Sequence, residues 1–200
     1  MLYTLRDPIA PRAAGLKRWL VLALLLAAGA AQALELDSLM KLLAQVKTGE
    51  ATFTERRVVT QLERTLESSG RLSFAAPDSF VRETLKPRRE RLEVNGNTLT
   101  VTQGSRTHTM ALDASPEAVA IVEAIRGTLT GNGVTLQRHF NTQVEGDLER
   151  WTLELVPRDA RMRGQVAQVL VSGRQALLRE VKILMTDGDT SVMRIESLPR

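Results

Sequence analysis

The chain has 200 residues, 43% hydrophobic and 25% charged, a balance that suits one globular domain with its own core. It contains no cysteine, which excludes disulfides, thiolate metal sites and a thiol nucleophile. Aromatic residues make up only 4%, and most of the formal charge of +4 comes from the N-terminus, so nothing calls for a nucleic-acid partner.

Arg6, Arg12, Lys17 and Arg18 form a basic region, Trp19 to Ala28 an apolar run, and Ala31-Gln32-Ala33 an A-x-A cleavage site. Residues 1–33 therefore read as a secretory signal peptide. A membrane anchor needs about 20 apolar residues, and this run is too short. The segment carries four positive residues and one negative, so residues 34–200 keep a formal charge of +1. No cysteine follows the cleavage site to carry a lipid, and the expectation is a soluble protein, periplasmic if the host has two membranes.

Leu36 to Val46 reads as an amphipathic helix with Leu36, Leu39, Met40, Leu43 and Val46 on one face, capped by Asp37 or Ser38 and ended by Thr48-Gly49. From Ala51 a β-branched run carries Phe53 to Thr60, and a second strand starts near Arg64. The stretch from Gly70 to Val101 then alternates: Gly70, Leu72 and Phe74; Phe80, Arg82 and Thr84; Leu92 and Val94; Leu99 and Val101. A period of two predicts half-buried strands, broken at Pro77 and Pro87. Asn95-Gly96 predicts a two-residue type I′ turn that pairs Val94 with Asn97, Leu92 with Leu99 and Glu90 with Val101. Arg106-Thr107-His108 leads a further strand to Met110 and Leu112.

Ser115-Pro116 predicts a helix start, followed by the stripe Ala118, Ile121, Val122, Ile125 and Leu129 against Glu117, Glu123 and Arg126 on the other side. Gly131-Asn132-Gly133 stops it, and a short helix covers Val134 to His139. Such a stripe must lie on something apolar, and the open face of a curved sheet is the candidate. Trp151, Leu153 and Leu155 then alternate up to Pro157. Val166–Val171 and Leu177–Met185 follow as strands separated by Ser172-Gly173, and Ser191–Ile195 closes the chain after the turn Asp187-Gly188-Asp189. About six strands, one or two helices and about five strands predict an α+β, mostly β fold, a strongly curved antiparallel sheet with helices on one side.

Catalytic patterns are sparse. His108 and His139 are the only histidines, there is no G-x-S-x-G elbow, and Asp187-Gly188-Asp189 lacks the spaced oxygens of a calcium loop, so no catalytic residue, metal or cofactor is expected. The run Lys86-Pro87-Arg88-Arg89-Glu90-Arg91 is a solvated turn or a docking site for a membrane or an acidic partner. The apolar positions fit either a packed core or a ligand cavity.

The spacing Gly70-x-Leu72-x4-Pro77-x2-Phe80-x6-Pro87-x8-Gly96-x2-Leu99 resembles the periplasmic lipoprotein carrier family of LolA. Ala51-x-Phe53 followed by Glu55 is similar to that family's A-x-F-x-Q strand. The resemblance covers residues 34–200 in element order. It implies an incomplete, half-open β-barrel of about eleven strands with helices forming a lid over a hydrophobic cavity. Phe53, Leu72, Phe74, Phe80, Leu92, Leu99, Val101, Val122, Ile125, Leu129, Trp151, Leu153 and Leu155 would line that cavity. It further implies a monomeric, non-enzymatic carrier that takes the acyl chains of lipoproteins, or another lipid-like ligand, from an inner-membrane donor protein to an outer-membrane acceptor protein. A sensor or adaptor that binds a protein partner is the alternative, and a lipid hydrolase using His108 or His139 a third reading.

Some positions differ from the family pattern. Ala76 stands where an arginine ties sheet to lid, Thr100 stands where an aromatic does, Asn95 opens the turn, and the chain ends at Arg200 soon after its last strand. These differences imply an altered lid closure and a cargo that extends to a pigment lipid, a glycolipid or another acyl conjugate.

Overall fold

The structure, a computed structural model, describes residues 34–198, so the expected signal peptide lies outside the described residues. Among the described residues no helix is long and apolar enough to cross a membrane. The chain forms α1 (Leu36–Leu43), β1 (Thr48–Val59), β2 (Arg64–Ala75), β3 (Ser79–Lys86), β4 (Glu90–Asn95), β5 (Thr98–Gln103) and β6 (Arg106–Ala111). It continues with α2 (Pro116–Leu129), α3 (Gly133–His139), β7 (Phe140–Asp147), β8 (Arg150–Pro157), α4 (Ala160–Arg163), β9 (Val166–Arg174), β10 (Leu177–Met185) and β11 (Thr190–Ser197).

All eleven strands join one antiparallel sheet in the order β6-β5-β4-β3-β2-β1-β11-β10-β9-β8-β7. It is two meanders sewn together where β1 meets β11, with Phe53 opposite Ile195. Strands β6 and β7 are the two edge strands of the described sheet and do not pair with each other, so the barrel is incomplete, as the family resemblance implies. Both prolines of the central stretch sit at turns, each after a cis peptide bond.

The helices lie on one face. Ser115 caps α2 through its hydroxyl oxygen, which accepts the Ala118 N–H at 3.2 Å, with Pro116 in the first turn. The buried side of α2 differs from the expected one. Ala120, Ala124, Gly127 and Thr128 are fully buried, while Ala118, Ile121, Val122, Ile125 and Leu129 are only half-buried. The reason is crowding: Leu136 of α3 packs so tightly that a Cβ on Gly127 would stand 2.6 Å from it, so only small residues fit there.

Several local readings are corrected. Helix α1 starts at Leu36, behind Glu35, which makes no side-chain cap; Asp37 lies inside the first turn, where its charge favours the helix N-terminus. Thr48 and Gly49 do not end a helix but open β1, paired with Ala75 and Phe74. The β4–β5 turn is centred on Gly96 and Asn97, with Asn95 opposite Thr98, and only Gly96 takes a positive φ (+56°), the type II′ pattern. Leu92 therefore faces Val101 and Val94 faces Leu99. The pairing slips by two residues, which keeps every side chain on its expected face and sets apolar residues opposite apolar ones.

Ser172 and Gly173 lie inside β9, and Gln175, with φ +50°, takes the turn instead. Gly173 serves packing: a Cβ there would stand 2.2 Å from the Trp151 ring. The turn at Asp187-Gly188-Asp189 acts as a clasp. The buried Asp189 carboxylate accepts the Thr60 N–H at 2.9 Å and an Arg57 N–H at 3.2 Å, binding the β10–β11 turn to the β1–β2 tip.

Candidate ligand-binding face

The strand register puts Phe53, Gly70 and Thr84 in one row across the helix-covered face, and Ala51, Leu72, Arg82, Leu92 and Val101 in the next. Gly49, Phe74, Phe80, Val94 and Leu99 form a third. The thirteen residues expected to line a cavity do not form one group here. Trp151, Leu153 and Leu155 are fully buried in the larger core, which includes α1 and α3 residues, and Leu129 packs against it. Leu99, Val94 and Leu112 form a second, smaller cluster, joined by Phe80, Leu92, Val101 and Val122. Phe74 stacks on Phe80 with ring centroids 5.3 Å apart. Leu72 and Ile125 are half-buried, on β2 and α2 respectively. Val119 of α2 touches both clusters, so this helix bridges the apolar face from one side to the other.

A polar network interrupts this apolar face. The Glu55 carboxylate accepts hydrogen bonds from Ser191 at 2.6 Å, from Ser68 at 3.0 Å and from the Arg82 guanidinium. Arg82 also lies over the Phe53 ring, 4.9 Å from its centroid, and its Nε is buried without a hydrogen-bond partner among the described residues. The side chains of Arg82 and Glu55 are 28% and 14% exposed. Sequence reading missed this network, although the signal was there: Arg82 alternates with Phe80 and Thr84, and a charged residue at an inward position requires a partner. Glu55, two residues after Phe53, is on the same face of its strand. Glu55→Ala would leave a partly buried guanidinium unpaired, and the expected cost is about 2 kcal/mol, below the range for fully buried pairs because Arg82 reaches solvent. Urea denaturation of Glu55→Ala beside Glu55→Gln, which keeps the acceptor oxygen, measures it.

The lid is tied to the sheet from its own side. Arg126 of α2 donates to the Gly96 carbonyl at 2.6 Å in the β4–β5 turn and pairs with Glu123 at 2.5 Å. At Ala76 the chain makes a backbone bond, N–H to the Lys47 carbonyl at 2.8 Å. Beside Arg126 is a concavity of about 230 Å³ lined by Pro77, Asp78, Gly127, Thr130, Asn132 and Thr135. Another, of about 370 Å³, opens among β1, β2, β3 and β11, mostly on the opposite face of the sheet (Thr52, Thr54, Arg71, Leu85); Phe53 is the one expected cavity residue in its lining. His108 is exposed on β6, and His139 ends α3 with its ring edge-on to Phe140.

Among solved structures the chain is similar to a LolA superfamily protein from Nitrosomonas europaea, at 10% identity over 84% of this chain and 94% of that one, with a TM-score of 0.45. A putative outer membrane lipoprotein-sorting protein domain from Vibrio parahaemolyticus gives 11% identity over 84% and 91%, with a TM-score of 0.45. The lipoprotein LppX of Mycobacterium tuberculosis gives 9% over 80% and 93%, with a TM-score of 0.41. No curated protein matches the chain. The family model for outer membrane lipoprotein carrier proteins of the LolA-like type matches residues 28–195, nearly all of the sheet and its helices, and the chain belongs to that LolA-like family.

Proposed function

We infer that the protein is a periplasmic carrier that shields the acyl chains of a lipoprotein, or of another lipophilic conjugate, against the helix-covered face of its sheet and moves them towards the outer membrane. The observation that carries this reading is the position of α2, which spans two separate apolar clusters while its largest apolar side chains stay half-buried. A lid of that kind exchanges its own contacts for those of an acyl chain at little net loss. Each methylene buried is worth roughly 0.8 kcal/mol, so about ten supply some 8 kcal/mol before the cost of association. The work requires no catalytic group, and the carrier acts as a monomer exported on residues 1–33. The family's lipoprotein carriers and the matched strand pattern support the same reading.

Native mass spectrometry and organic extraction of the protein purified from the periplasm test it, alongside displacement of a fluorescent fatty-acid probe. The expected result is an acyl-bearing ligand and competition with the probe. Recovery of a stoichiometric envelope protein with no lipid would instead assign the fold to an adaptor. Val122→Asp puts a charge on the lid side of the smaller cluster and should weaken probe binding by about tenfold or more, equivalent to 1.4 kcal/mol.

A further inference from the structure

In an antiparallel meander every second connection falls on the same end of the sheet. The β1–β2 tip, the β3–β4 and β5–β6 turns, the β10–β11 turn and the α4 connection between β8 and β9 therefore share one rim. The charges of the two rims are opposed. The first carries Lys86, Arg88, Arg89, Arg106, Arg161 and Arg163, all exposed. Lys86, Arg88, Arg89 and Arg106 make no ion pair among the described residues. The opposite rim carries Asp78, Asp113, Glu117, Asp147, Glu149 and Glu196 against Lys47, Arg150 and Arg174, the last paired with Glu149, so acids outnumber cations there. Acids stand on the basic rim too, Glu63, Glu67, Glu90, Asp159, Asp187 and Asp189, and several are engaged: Asp189 by Arg57 and Thr60, Asp159 by Arg161, and Glu90 by Gln103, while Arg64 and Arg158 add two more exposed cations.

The basic rim also has an apolar point. Strands β1 and β2 stay paired as far as Val59 and Arg64, whereas the pairing of β2 with β3 ends at Ser69 opposite Lys86. Five residues of β2, from Arg64 to Ser68, run on beyond it, about 16 Å of strand. On this hairpin, whose β1 side is paired with β11 as far as Val58 and clasped at Thr60 by the β10–β11 turn, Leu62 is 63% and Leu66 52% exposed. One exposed leucine is ordinary, but two on a hairpin whose β2 edge rises above the basic β3–β4 turn are the combination that binds the boundary between anionic headgroups and hydrocarbon.

We propose that this rim docks the protein on an anionic lipid bilayer, with the Leu62 tip entering the headgroup layer and Lys86, Arg88, Arg89 and Arg106 resting on the charged surface. A bilayer suits the geometry better than an acidic protein does. The cations are exposed on the β3–β4 and β5–β6 turns, and the leucines stand out where a protein pocket would want them complementary and enclosed. The acidic rim at the far end is repelled by the same surface, so the approach is oriented as well as attracted.

Flotation of the chain as processed on export, with vesicles of phosphatidylglycerol and phosphatidylethanolamine or of phosphatidylcholine alone, decides it. The expected result is binding to the anionic vesicles only, released by salt near 0.5 M. Arg88→Glu/Arg89→Glu should lower partitioning by at least about tenfold, Leu62→Ser should lower it at fixed salt, and Arg150→Glu on the opposite rim should leave it unchanged. Absence of binding, equal binding to both vesicles, or binding indifferent to the double reversal overturns the proposal. So does capture of an acidic protein by a rim that ignores vesicles. Because the readout uses no acyl probe, it stands or falls separately from the carrier reading.

Discussion

Trp151→Ala is expected to destabilise the protein by about 3–5 kcal/mol, the range for removing a buried aromatic side chain. The residue is fully buried in the larger core, its ring fills the space left by Gly173 of the neighbouring strand, and its indole N–H donates to the Gln175 carbonyl at 2.9 Å. Truncation therefore leaves a void, strands a carbonyl and frees the β9–β10 turn together. At roughly 2–4 °C per kcal/mol for a chain of this size, the melting temperature should fall by about 6–20 °C. Thermal and urea unfolding measure it, and a fall below about 2 °C would mean that the ring contributes little to the core. Gly173→Val approaches the same contact from the other side. Because it collides with the ring, the double variant Trp151→Ala/Gly173→Val should be more stable than the sum of the single effects predicts.

Gly70→Ala adds one methyl group and should cost about 3 kcal/mol, the upper end of overpacking effects. A Cβ on Gly70 would lie 1.9 Å from the Glu83 carbonyl oxygen and 2.9 Å from the Thr84 Cα, both main-chain atoms that no rotamer change can move. Relief requires β2 and β3 to part at the bulge between Ser69 and Gly70. The same two strands carry Ser68 and Arg82, so the polar network with Glu55 should loosen as well. Amide hydrogen exchange would register this as faster exchange along β2 and β3 with β8 and β9 unaffected. Uniform exchange across the sheet would mean that the strain spreads through it.

Much of this fold was legible. Period-two alternation located the strands between Gly70 and Val101, and Ser115-Pro116 located the start of α2, because a pleated strand and a capped first turn each depend on residues close in sequence. The thirteen apolar positions were less so. Alternation reports that a side chain turns inward but not whom it meets, and the structure divides most of these positions between two clusters, with Val119, absent from the expected stripe, joining them. The deepest face of α2 escaped for a similar reason. Ala120, Ala124 and Gly127 carry little hydrophobic signal, and their burial is decided by how closely α3 approaches.

The sequence by itself determined the strand faces of the central stretch, the start of α2 and the family, since these follow from spacing along the chain. Tertiary structure alone decided three things: that β1 pairs with β11 to sew the two meanders together, that Arg82 reaches across β2 to Glu55, and that the basic turns collect on one rim opposite the acidic ones. Each joins residues far apart in sequence, and only closing the chain into a sheet brings them within reach of a hydrogen bond or of one another's charge.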